Sequence, residues 1–254
     1  MKKGIDVSAW QGNIDWTKVK KDGIQFAILR CGYGMNLKEQ DDSMFGQNAD
    51  ECERFGIPYG VYLYSYATDA KSAKSEAEHV LRLLKGRKPE YPVYLDLEDS
   101  TVSAIGNKRI LEVAKTFVKN IEDAGYTAGI YANLDWWENY LTYPWYDKVE
   151  RWVAQYYKEC QYKGKYGIWQ YASTGSVDGI KGHVDMNYAY VDYPKLFKKN
   201  DVTSNLVKPN KKSIDEIAKE VIQGKWGNGQ ERFKRLTKAG YDADAVQDRV
   251  NKLL

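Results

Sequence analysis

Two carboxylates, Asp96 and Glu98, close an apolar run that begins at Pro92 and reads Pro-Val-Tyr-Leu-Asp-Leu-Glu. On an extended chain alternate side chains share a face and each residue rises about 3.3 Å. The two acids therefore point the same way, with Cα atoms roughly 6.6 Å apart. Repulsion between acids so close raises one pKa and leaves a proton donor beside a carboxylate able to stabilise positive charge. Glycosidic cleavage needs that division of labour. Such pairs also occur on solvated faces and in calcium sites, so the context decides. Tyr91 to Leu97 is apolar except for Asp96, and Asp99-Ser100 closes the run as a turn. This is the pattern of a buried parallel strand at its carboxyl end, where α/β barrels gather catalytic groups.

Other acids are expected to converge on the pair. Asp6 follows the first apolar strand and Asp185 the last, in His183-Val184-Asp185-Met186-Asn187. Closure of a barrel makes the first and last strands neighbours, so Asp6 and Asp185 are expected to face each other across one mouth. With 8 Trp and 21 Tyr the chain is rich in flat rings. Tyr62, Tyr64, Tyr94, Tyr131, Trp136, Trp169 and Tyr171 sit at strand ends, where rings with polar edges suit the C–H faces and hydroxyls of sugars. Most of them are expected to pack the core, and those beside the carboxylates to touch ligand.

The elements that must position these groups alternate short apolar strands with amphipathic helices. Expected strands are Gly4–Val7, Phe26–Arg30, Tyr59–Tyr64, Val93–Leu97, Thr127–Tyr131, Arg151–Ala154 and Gly167–Gln170, with helices near Asp42–Phe55, Ala70–Leu84 and Lys108–Ala124. Eight parallel strands closing on themselves are the economical architecture for strands too apolar to leave an open edge. After Ala124 the helices look short or missing. The fold class is thus α/β, an irregular TIM-like (β/α)-barrel, followed by a small all-α three-helix module. Lys198 to Ser213 is rich in Lys, Asn, Ser and Pro and reads as a linker. Beyond it, Ser213-x-x-Glu216 is a capping box before Ile214, Ile217, Ala218, Val221 and Ile222 at helical spacing. Gln230–Ala239 and Asp242–Leu253 make two further helices, and a bundle this small lies near the lower limit for independent folding.

Composition bounds the partners. The 254 residues, 43% of them hydrophobic, suffice for one large domain and a small one. Lys and Arg number 38 against 35 Asp and Glu, and residues 201–254 hold 11 and 8 of these, so the net +3 falls in the tail. Nucleic acid is not an expected partner of so balanced a surface. No stretch approaches the ~20 apolar residues of a membrane span, so membrane insertion is not expected. Met1-Lys2-Lys3 leads into Gly4-Ile5-Asp6-Val7 with no apolar signal-peptide core. The expectation is a protein made in a cytoplasm. Cys31, Cys52 and Cys160 show no Cys-x-x-Cys spacing and are expected to be reduced and mostly buried. His79 and His183 are the only histidines, without His-Glu-x-x-His, which argues against a metal- or thiol-dependent amidase or peptidase. No metal and no cofactor are expected.

The ordered motifs resemble glycoside hydrolase family 25, the Chalaropsis-type muramidases common as phage endolysins. They are Asp6-Val7-Ser8-x-x-Gln11-Gly12-x-Ile14-Asp15-Trp16, the Tyr62 strand, Tyr94-Leu95-Asp96-Leu97-Glu98, Trp169-Gln170-Tyr171 and Val184-Asp185-x-Asn187. The resemblance covers about residues 1–195. It implies cleavage of the β-1,4 bond between N-acetylmuramic acid and N-acetylglucosamine in bacterial peptidoglycan. It also implies Glu98 as general acid, Asp96 as partner carboxylate, and Asp6 and Asp185 as flanking acids. Tyr62, Tyr64, Tyr131, Trp169 and Gln170 are the expected substrate contacts, although Leu63-Tyr64 departs from the His-Phe of many members. A glucosaminidase, an amidase and a non-catalytic wall-binding protein are the alternatives. Ile217-Ala218-x-Glu220-Val221-Ile222-x-Gly224-x-Trp226-Gly227-x-Gly229 resembles a three-helix cell-wall-binding repeat, with Trp226, Gly227 and Gly229 as expected wall contacts. From a single copy, avidity is expected to come from the catalytic cleft or from self-association. The implied domains are a catalytic domain over 1–197, a linker over 198–212 and a wall-binding module over 213–254.

Overall fold

A computed structural model describes residues 1–197, 212–239 and 241–253. Contacts divide the chain into two compact units, Met1–Lys198 and Lys199–Leu254. Apart from Lys212, the expected linker lies outside the described residues.

The first unit is a closed barrel in the order β1-β2-β3-β4-β5-β6-β7-β8. The strands are β1 (Lys2–Val7), β2 (Phe26–Tyr33), β3 (Tyr59–Tyr64), β4 (Val93–Asp96), β5 (Ala128–Asn133), β6 (Glu150–Ala154), β7 (Ile168–Gly175) and β8 (Val184–Ala189). Helices α1 (Trp16–Lys21), α2 (Phe45–Phe55), α3 (Ala70–Leu83), α4 (Ser100–Ser103), α5 (Asn107–Asp123) and α6 (Leu134–Asn139) intervene. Two expectations need correction. Asp185 lies within an eighth strand and not after the last one. That strand runs antiparallel to both β7 and β1, so the barrel is not all parallel. The reason is local: the segment from Ser176 to His183 forms no helix, and a parallel return needs a crossover of about a dozen residues or more.

Strand alternation sorts the side chains. Outward residues such as Ile5, Leu29, Val61, Leu95 and Ile130 are fully buried against the helices in one large core. Phe26, Ile28, Tyr94, Tyr131, Trp152 and Ile168 form a second, inner core with Tyr91 and Tyr193. Glycine makes room for this aromatic filling: a Cβ on Gly4 would sit 2.3 Å from the Phe26 ring, and one on Gly129 2.4 Å from that of Tyr94. Rings therefore plug one end of the barrel, and only the carboxyl ends of the parallel strands are left to form a cleft. Cys31 and Cys52 are buried and Cys160 half-buried, all three as free thiols.

The described tail contains α7 (Ile214–Ile222), α8 (Gly229–Lys238) and α9 (Ala243–Leu253). Ser213 and Glu216 form a reciprocal capping box at the start of α7. Ile217, Ala218, Val221, Leu236, Val246 and Val250 make the core. Among the described residues no helix is long and apolar enough to cross a membrane.

Candidate active site

The inward positions nearest the strand ends carry polar groups. Asp6, Arg30, Tyr62, Tyr64, Asp96, Glu98, Tyr131, Gln170 and Asp185 line a cavity of about 290 Å³, with Trp10, Trp152 and Tyr156. Barrel closure places Asp6 directly opposite Asp185 in the β1–β8 register. Asp96 ends β4 and is buried, whereas Glu98, two residues on, is exposed at the rim.

Hydrogen bonds fix the inner wall. Asp6 Oδ2 accepts from Gln170 Nε2 at 2.8 Å and from Asn187 Nδ2 at 2.7 Å. Gln170 Oε1 in turn accepts from the hydroxyls of Tyr131 and Tyr156, each at 3.0 Å, and Asn187 Oδ1 from Trp152 Nε1 at 2.8 Å. On the opposite side Arg30 Nε donates to buried Asp42 at 2.7 Å, and the same Asp42 oxygen accepts from the Ala9 amide at 3.0 Å. That bond and the Ser8–Gln11 cap hold Trp10 at the rim with 84% of its surface exposed. Asp96 Oδ1 is buried with no hydrogen-bond partner among the described residues. An acceptor left in that state needs a donor brought by ligand or solvent.

All four carboxyls are harder to ionise than usual, and burial is the main cause in each. Asp96 lies well above the carboxylate range through burial, then through Glu98 and Asp6, with Arg30 opposing. Asp6 is pushed up to about 8 by burial and then by Asp185, against the bonds from Asn187 and Gln170. Burial raises Asp185 to about 6. Glu98 is raised by burial, then by Asp185 and Asp99. Solvent reaches its carboxyl from the rim while protein surrounds it elsewhere, so exposure and desolvation coexist there. Such a cluster shares protons near neutral pH and does not carry four charges.

Of the expected contacts, Tyr62, Tyr64, Tyr131 and Gln170 line this cavity. Trp169 does not. On β7 the residue after inward Ile168 and before inward Gln170 must point outward. Its ring packs against Tyr171 and Tyr188, and its indole N–H bonds the Gln155 carbonyl at 2.8 Å. Trp10, Arg30, Trp152 and Tyr156 are not among the expected contacts, and Asn187 is named only as part of a motif. Parity along β6 and β8 signals Trp152 and Asn187, whereas Trp10 and Tyr156 lie outside the strands and only closure brings them to the cleft.

An eight-strand barrel with an acidic mouth narrows the class, and comparison with known proteins decides it. Residues 5–180 match the profile of Glycosyl hydrolases family 25. The chain belongs to glycosyl hydrolases family 25. It is therefore a glycoside hydrolase with lysozyme relatives. Lysozyme M1 of Streptomyces globisporus is 29% identical over 201 residues, covering 73% of this chain and 66% of that protein. The lysozyme of Streptococcus phage Cp-7 is 30% identical over 210 residues, 77% of this chain and 56% of that protein. The modular autolysin LytC of Streptococcus pneumoniae, solved with a synthetic peptidoglycan ligand, superposes with a TM-score of 0.67 at 29% identity, over 73% of this chain and 46% of that one. The chain thus spans less than two thirds of the length of each of these three.

The tail of this family 25 chain carries a second match, over residues 215–254, to the CW_7 repeat. Trp226 is half-buried against the helical core, donates from Nε1 to Glu220 at 3.0 Å and meets Tyr241 edge to face. With Lys225, Arg235 and Glu220 it lines a shallow cavity of about 470 Å³. Gly227, before α8, and Gly229, its first residue, adopt φ of 76° and 54°, a conformation that favours glycine, so a backbone role accounts for both.

Proposed function

We propose that the chain hydrolyses the β-1,4 bond between N-acetylmuramic acid and N-acetylglucosamine in bacterial peptidoglycan, with Glu98 as general acid. The observation that carries the assignment is the position of Glu98, the rim member of an otherwise more deeply set acidic cluster. It combines a raised pKa with an exposed place at the mouth, within reach of a bond lying across it. Glu98 gives its proton to the glycosidic oxygen as the C1–O bond breaks with its electron pair on oxygen. Water then supplies the hydroxyl gained by C1 and the proton that restores the acid. Positive charge developing at C1 favours ionisation of the carboxyls that face it, Asp96 and Asp185. The unpartnered Asp96 Oδ1 suits a substrate donor such as an acetamido N–H. Tyr62, Tyr64, Tyr131 and Gln170 shape the sugar site. The named lysozyme relatives and the tail repeat support peptidoglycan as the polymer. Trp226, flanked by Lys225 and Arg235, is the proposed wall contact of the tail.

The test is digestion of purified peptidoglycan by the full chain, borodeuteride reduction of the new sugar ends and mass spectrometry. Deuterium on muramic acid is expected. Deuterium on glucosamine, or new amino termini without labelled sugar, overturns the reading.

A further inference from the structure

One cation faces the acidic mouth. Among the described residues that line the catalytic cavity, Arg30 is the only basic side chain, set against the carboxyls of Asp6, Asp96, Glu98 and Asp185. It shares the inward face of β2 with Ile28, two residues before it. Its Nε is committed to Asp42, whereas its two Nη groups have no hydrogen-bond partner among the described residues.

A network of bonds holds that charge still. The register of β2 with β3 shifts between Arg30 and Gly32, and the Cys31 carbonyl accepts the Asp42 amide at 2.9 Å. Gly32 pairs antiparallel with Asp41, so the chain that leaves β2 folds back along its end. A Cβ on Gly32 would lie 2.6 Å from the Gln40 carbonyl oxygen, and only glycine lets the two segments approach so closely. From the other side α3 grips Asp41, which accepts from Arg82 Nη1 at 2.9 Å and lies 2.8 Å from His79 Nε2. Asp42, its side chain fully buried, then meets three donors: Arg30 Nε at 2.7 Å, the Met44 amide at 2.9 Å and the Ala9 amide at 3.0 Å. A long side chain that would otherwise swing is thereby fixed beside the acids.

Resting on the assignment of Glu98 as general acid, we propose that Arg30 is an electrostatic positioning residue, which draws the negative charge of the acid pair to Asp96 and leaves the proton on Glu98. Burial by itself favours the reverse. It would put the proton on Asp96, the deeper of the two, and leave the rim acid ionised, so that nothing could protonate a glycosidic oxygen. Arg30 opposes the rise of Asp96, whereas the rise of Glu98 comes from burial, Asp185 and Asp99 with no cation against it. The other titratable groups about the mouth are Asp6 on β1, Asp185 on β8, and the phenols of Tyr62 and Tyr64 on β3, Tyr131 on β5 and Tyr156 after β6. The two acids bring more negative charge, and burial keeps the phenols neutral, so none of them can replace Arg30.

The test is the pH profile of kcat/KM for the full chain on soluble peptidoglycan fragments, whose acidic limb reports the carboxyl that must ionise. Arg30→Gln makes Asp96 harder to ionise and is expected to move that limb up by about one pH unit or more. Arg30→Lys keeps the charge and is expected to leave the limb within about half a unit of wild type. Arg30→Gln also leaves Asp42 buried without its cation. Should it not fold, the double variant Arg30→Gln/Asp42→Asn removes both charges at once, with an upward shift again expected. An unmoved or lowered limb in the variants without the cation, whatever their loss of rate, overturns the inference, as does an equal shift in Arg30→Lys. Full activity in Glu98→Gln, or no cleavage by the wild type at any pH, overturns the underlying reading instead.

Discussion

Among the described residues Asp185 has no side-chain hydrogen bond of the kind that ties Asp6 to its neighbours, yet its charge is felt by both Asp6 and Glu98. Removing that charge makes Glu98 easier to ionise, and a general acid works only while protonated. Asp185→Asn is therefore expected to move the basic limb of the kcat/KM profile on soluble peptidoglycan fragments to lower pH. An unmoved or upward-shifted limb would refute the coupling. Asp6 carries the opposite lesson for stability. Its folded pKa, pushed up to about 8, stands well above the ordinary carboxylate range. The folded state thus holds a proton that the unfolded chain releases, and this stabilisation is complete at low pH and lost as pH rises toward 8. Asparagine can accept the same bonds from Gln170 and Asn187 with no proton to lose. Asp6→Asn should raise the thermal midpoint of the barrel at pH 8 by about 2 °C or more, with the gain shrinking toward pH 4. Calorimetry at both pH values checks this.

At the scale of elements, the sites are held by joints between strands and helices. Glu76 on α3 is fully buried, accepts from Ser65 Oγ at 2.7 Å and from the Tyr66 amide at 2.8 Å, and burial pushes it up to about 7. Ser65 in turn donates its amide to the Asp96 carbonyl at 3.0 Å. Glu76→Ala strands the buried Ser65 hydroxyl and the part-buried Tyr66 amide and should cost about 2–4 kcal/mol, read as a lower denaturation midpoint. The strands β1 to β7 were legible because their outward residues are apolar and alternate with what lies inside. β8 was not, because its inward positions near the mouth are Asp185 and Asn187, so the apolar signal fails where the site is built. Its direction depended on a missing crossover helix, which no single residue announces. Trp169, beside Gln170 in the motif, packs outside the cavity because strand parity separates the two. Arg30 reads as an ordinary strand end until barrel closure turns it toward the acids.

At the scale of the whole molecule, the sequence divides its charge as it divides its chemistry. The first 200 residues hold as many basic as acidic groups, and the positive excess lies beyond them. Lys225 and Arg235 bring part of it to the cavity beside Trp226, which suits a polyanionic wall. The helices of this tail were legible from the Ser213–Glu216 cap and the apolar spacing, but the cavity beside Trp226 depends on packing between α7 and α8. Trp226→Ala in the full chain should weaken co-sedimentation with purified walls while leaving turnover of soluble fragments within about twofold; equal losses of both would assign Trp226 to folding alone. The account as a whole rests on Glu98. Its most direct test is the hydrolysis rate of purified peptidoglycan by Glu98→Gln, with an unchanged thermal midpoint as the control for folding. The account predicts a loss of about 10²–10⁴-fold with wall binding retained, and a rate within about threefold of wild type would contradict it.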